Sequence, residues 1–134
     1  MLKTALDNLK TALAAAMPTR VVTRDLRDFA QHPLSDLEAG VLTLVSHREA
    51  GYANYRGREA DLGKLSVITV GQLKMPEAAT PSEVEDAEFA FAEETKTFLR
   101  TALPVEAAVL LETRFSGQLD APYGWFAMDW EVWP

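Results

Sequence analysis

The sequence predicts an α+β domain: a largely antiparallel, mixed β-sheet with two amphipathic helices packed on one of its faces. Three features predict it. Apolar residues recur at helical spacing at the start of the chain and again over residues 80–102. Two runs rich in β-branched residues precede the second helix and two apolar runs follow it, an order that favours α+β over alternating βαβ units. Third, the stretch "YGWFAMDWEVW" splits into two unlike faces at a strand's period of two. Phe126, Met128, Trp130 and Val132 form a face that is apolar throughout and reads as half of a core. Trp125, Ala127, Asp129, Glu131 and Trp133 form the other, a mixture of carboxylates and large rings unlike an ordinary solvated face.

Each element has its own warrant. Leu2, Leu6, Leu9 and Leu13 are spaced by four, three and four, with Ala5, Ala12 and Ala16 beside them; the helix they make is ended by Pro18. "TRVVTR" reads as a short strand. In "DLRDFAQHPLSDLEA" only a turn at Pro33 and Ser35 is legible. "GVLTLVSH", bounded by Gly40, is a strand, and "LGKLSVITVGQLKM" a more apolar, central one. Between them "REAGYANYRGREAD", residues 48–61, reads as an extended hairpin tip or mobile loop. "TPSEVEDAEFAFAEETKTFLRTALP" opens with Thr80 as N-cap, Pro81 at the first helical position and Glu83 completing a capping box. Val84, Ala87, Phe91, Thr95, Phe98 and Ala102 line its core face, Arg100 lies in the last turn and Pro104 stops it. "AAVLLETRF" and the closing stretch are strands joined by the turn-rich "SGQLDAP".

Residues 1–134, at 14.8 kDa, read as a single domain. A chain of this size buries about 65–70% of its unfolded surface, enough for a core without staples. The chain has no cysteine, so disulfides, thiolate metal sites and a Cys nucleophile are excluded. No run approaches the ~20 apolar residues of a membrane span, and Asp7, Asn8 and Lys10 interrupt any signal-type apolar region, so a soluble protein with no membrane partner is expected. A net charge of −7 disfavours broad phosphate-backbone binding. That charge is unevenly placed. Arginines 20, 24, 27, 48, 56 and 58 cluster in the first half, seven acids and no base lie from Glu77 to Glu94, and no base follows Arg114. In an oligomer this asymmetry gives each subunit two oppositely charged faces.

Catalytic signals are thin. His32 and His47 have no ligand partners at metal-site spacing, and no nucleophile elbow, phosphate loop or dinucleotide fingerprint is present. Asp129 and Glu131 stand about 6–7 Å apart along one strand face, a pair that is ordinarily hydrated. The expectation is no catalytic, cofactor-binding or metal-binding residue, and no enzyme. Large side chains at exposed positions point instead to contact surfaces, because aromatic and Arg side chains are enriched in protein interfaces. Tyr52, Tyr55, Arg56 and Arg58 in the loop, Phe89 about 140° round the second helix from Val84, and Trp125, Asp129, Glu131 and Trp133 are the candidate subunit or partner interface.

The runs "YRGREADLGKLSVITVGQ", "PSEVEDAEFAFAEETKTFL" and "SGQLDAPYGWF" resemble the small minor tail proteins of long-tailed phages and prophages, in particular the tail-terminator or tail-completion group. The resemblance covers most of the chain and rests on element order and texture. It implies a structural protein that forms a hexameric ring on the last ring of the tail tube, stops its polymerisation and joins it to the head connector. The implied partners are itself, the tail tube protein and head–tail connector proteins. DNA passes through the lumen without sequence-specific binding. The implied location is the virion tail, after assembly in the host cytoplasm. An acidic subunit suits that role, since carboxylates repel DNA phosphates. A second reading of the same size and charge is a small, acidic, dimeric chaperone or adaptor of the secretion-chaperone type, binding an extended protein partner.

Overall fold

A computed structural model describes residues 2–52, 63–101, 105 and 107–133. Helix α1 (Leu2–Ala16) buries Leu6, Leu9 and Leu13, the stripe its spacing predicts. A three-residue strand, β1 (Val21–Thr23), leads to a single 3-10 turn (Phe29–Gln31) and a short helix, α2 (Leu34–Ala39). Here the sequence shows only a turn. The Pro33 carbonyl accepts the amides of Asp36 and Leu37 and so opens a helix of six residues, too short for a periodic pattern to stand out. Strand β2 (Val41–Ala50) then runs through Arg48, Glu49 and Ala50, which the sequence assigns to the hairpin tip; pairing with β3 (Lys64–Lys74) carries the ladder that far. Residues 53–62, which hold the rest of that tip with Tyr55, Arg56 and Arg58, lie outside the described residues.

Helix α3 (Pro81–Thr101) starts at the expected capping box. The Glu83 amide donates to Thr80 Oγ1 at 3.3 Å, and the Thr80 amide donates to Glu83 Oε1 at 3.4 Å. Strands β4 (Ala107–Phe115) and β5 (Tyr123–Trp133) close the fold. The sheet order is β1-β2-β3-β5-β4, with β1 parallel to β2 and every other pair antiparallel, which makes the sheet mixed.

Register decides which residues share a face. Leu42 and Leu44 of β2, Leu65, Val67, Thr69, Gly71 and Leu73 of β3, and Phe126, Met128, Trp130 and Val132 of β5 point to one side. Helices α1 and α3 both cover that side, and the apolar members join Leu6, Leu9, Leu13, Val84, Phe91 and Phe98 in one core. The central strands approach closely at Gly71, where a Cβ would stand 2.0 Å from the Phe126 ring. That ring lies over the glycine and meets Phe91 edge-on, with centroids 5.0 Å apart. Trp130 is buried and donates its indole N–H to Thr69 Oγ1, which satisfies both polar groups within the core.

Among the described residues, the opposite side is covered only at one end. The Phe29 ring lies tilted against Tyr123, and Gln72 contacts Arg27 and His32 on either side of the 3-10 turn, so the segment from Arg27 to α2 sits over the rows of Val41, Gln72 and Tyr123. Buried Leu37 belongs to this small second layer. The Gln72 amide donates to the Arg27 carbonyl at 3.0 Å, so its Oε1 faces His32 Nε2, and that nitrogen carries the proton.

Candidate interaction surface

Beyond that cap, the sheet's far side presents Val45 and Arg48 from β2, Lys64, Ser66, Ile68 and Val70 from β3, Asp129, Glu131 and Trp133 from β5, and Val109 and Glu112 from β4. Four of the sequence-predicted residues, Trp125, Asp129, Glu131 and Trp133, lie on this side as the period of two requires. They do not form one patch. Trp125 sits in the row of Gln72, eight residues from Trp133 and thus about 26 Å along the strand. Its indole N–H donates to Asp120 Oδ2 at 3.1 Å, which ties the ring to its own β4–β5 turn.

The two carboxylates are not bare. Arg114 of β4 donates to Asp129 Oδ2 at 3.3 Å, and Lys64 of β3 pairs with Glu131 at 3.2 Å while its ammonium stands 5.4 Å from the Trp133 ring centroid. Both cations are diagonal cross-strand neighbours, so register supplies the bases that the stretch after Arg114 lacks in sequence. Exposed pairs of this sort contribute about 0–1 kcal/mol each. Among the described residues no group of three or more His, Asp or Glu side chains is placed to hold a metal ion, and no helix is long and apolar enough to cross a membrane.

The other predicted residues lie elsewhere. Phe89 is on α3, over the core face of the sheet; it is 43% exposed, and its ring meets Phe115 of β4 edge-on at 4.9 Å. Tyr52 stands beyond the end of β2 and donates its hydroxyl to Glu49 at 2.7 Å. The structure therefore places the described candidates in three groups: the hairpin, the far side of β5 and the outer flank of α3.

Two features escaped the sequence reading. One is a set of exposed apolar side chains along β4 and the turn after it: Val109 (46% exposed), Leu111 (56%) and Leu119 (87%). The consecutive leucines of "AAVLLETRF" hold the signal, because a regular strand cannot bury both; a bulge between Leu110 and Glu112 turns Leu111 outward. The other is Glu88, fully buried on the core side of α3. Its Oε2 accepts the Ser116 hydroxyl at 2.5 Å and the Trp125 amide at 3.2 Å, so a helix side chain completes the last rung of the β4–β5 ladder. Gly124 makes room, since a Cβ there would lie 2.6 Å from Glu88 Oε2. Oε1 is buried without a partner. Burial pushes this carboxyl above its ordinary range, against the hydrogen bonds from Ser116 and Trp125 that favour the anion.

Compared with protein-family models and with curated proteins, the chain gives no match.

Proposed function

We propose that this chain is a non-enzymatic ring subunit of the phage tail-terminator type, which caps the tail tube and offers a surface to the head connector. The observation that carries the reading is the half-covered sheet. An antiparallel sheet facing water ordinarily alternates to polar residues on that side. Here Val45, Ile68, Val70, Val109 and Trp133 stand there beside paired charges, and among the described residues only the 3-10 turn and α2 lie over one end. A subunit finished by its neighbours has a use for such a surface. The resemblance of the three quoted runs to tail-completion proteins supports the same reading, and the acidic balance suits a lumen through which DNA passes.

The test is the mass of the purified full chain by light scattering over a range of concentrations, with negative-stain imaging and addition to growing tail tubes. The expected outcome is a concentration-dependent rise from monomer to a six-subunit ring that binds tube ends and halts growth. A stable dimer at every concentration that ignores tube ends would overturn it in favour of a chaperone or adaptor.

A further inference from the structure

The sheet has two unlike edges at opposite sides of the molecule. At one, β1 pairs only with Val41–Thr43, so among the described residues no strand lies on the outer edge of β2 from Leu44 to Ala50. At the other, β4 is bonded to β5 on its inner side, and no strand among the described residues lies outside it. Open edges present rows of unpaired backbone donors and acceptors. Their surroundings differ in charge. Beside the β2 edge stand exposed His47 and Arg48, and α1, which lies along β1, carries Lys3 and Lys10; its Asp7 is already shared between Lys3 and Arg24. On the β4 side, exposed Glu112 stands on the far face of the sheet, and over the opposite face lies the flank of α3 that carries Glu85, Phe89 and Glu93. Of the cations there, Lys96 and Arg114 are already bonded to Glu93 and Asp129, and Arg100 stands farther along the same flank, in the last turn of α3. Arg48 and Glu112 have no ion-pair partner among the described residues, and both point to the far side of the sheet.

We propose that copies of this chain associate head to tail, the β4 edge of one subunit lying antiparallel against the open stretch of β2 in the next, with Glu112 meeting Arg48. Direction supports this pairing: β4 runs antiparallel to β2 within the subunit, and rotation about an axis along the strands preserves that relation between neighbours. Like edges pair badly, because β4 on β4 sets acidic flanks together and β2 on β2 opposes arginines. Val109 and Leu111 supply apolar area at the contact. This proposal rests on the ring reading and names its contact; a heterologous interface makes a ring when the rotation closes.

The chain has no cysteine, so disulfide trapping is clean. Arg48→Cys and Glu112→Cys are made singly and together in the full chain, at exposed positions that leave the core untouched. Mild oxidation of the double variant should give a ladder of covalent oligomers, each single variant none, and a mixture of the two singles only a dimer. Charge reversal gives a second measurement. Arg48→Glu and Glu112→Arg should each lower the association constant about tenfold, and the two together should restore it. Efficient dimers from one single variant would show a symmetric contact and overturn the proposal. Wild-type rings with no ladder and no charge effect would overturn it while leaving the ring reading intact; absence of any ring would remove both.

Discussion

Trp130 and Trp133 are three residues apart on one strand and do different work. Trp130 fills the core beneath α3 and holds Thr69 by its indole N–H, so Trp130→Ala leaves both a cavity and a buried hydroxyl without its partner. The expected cost is ~3–5 kcal/mol, read as a drop in thermal midpoint. Trp133 lies on the far side against Lys64, and its replacement by Ala should change the melt of the isolated chain little while impairing docking to a partner on that face. Equal destabilisation by both would remove the far side of β5 from any interface. Glu88 makes a different prediction. Its pKa is raised in the fold, so its contribution is fully present below the unfolded value near 4.5 and is lost as pH rises through the folded one. Glu88→Gln keeps the oxygen that accepts from Ser116 and Trp125 but cannot ionise. The stability of the variant relative to the parent should therefore increase as pH rises above the unfolded value near 4.5 in denaturant titrations; a difference that does not change with pH would show that Glu88 is not shifted upward by the fold.

At the scale of elements, local chemistry and long-range pairing part company. The start of α3 is written in four consecutive residues, and Thr80→Ala should cost about 1 kcal/mol by loss of the cap to Glu83, measured as a shift in denaturant midpoint at unchanged slope. That cap, the leucine stripe of α1 and the two faces of β5 are local patterns, which is why they are legible in sequence. The fate of Asp129 and Glu131 is not, because their partners Arg114 and Lys64 come from other strands and depend on register. Glu88 is concealed for the same reason. Glu85 and Asp86 stand shortly before it in sequence, and the glycine at 124 and the turn at Ser116 show that its carboxyl goes inward. The exposed leucine at 111 was within reach of the sequence, through the two adjacent leucines of β4. Helix α2 was out of reach, being too short to show a period and lacking a side-chain cap.

For the whole molecule, the placement of charge matters more than its sum. Each described ion pair has at least one exposed partner, and two of them join residues of one helix only three or four positions apart. Screening them costs the fold little. Contact between an acidic β4 side and a basic β2 side depends on opposite charges brought together from separate subunits, at close range but with one face open to solvent. Raising salt from about 50 mM to about 500 mM shortens the screening length from about 14 Å to about 4 Å. Self-association should then weaken severalfold in sedimentation equilibrium, while circular dichroism and the thermal midpoint stay nearly constant. Glu112→Gln, by removing the acid at the proposed contact, should flatten that salt dependence without changing the fold. Association that strengthens with salt would point to apolar docking across the far side of the sheet, through Val45, Ile68 and Trp133, rather than along its edges.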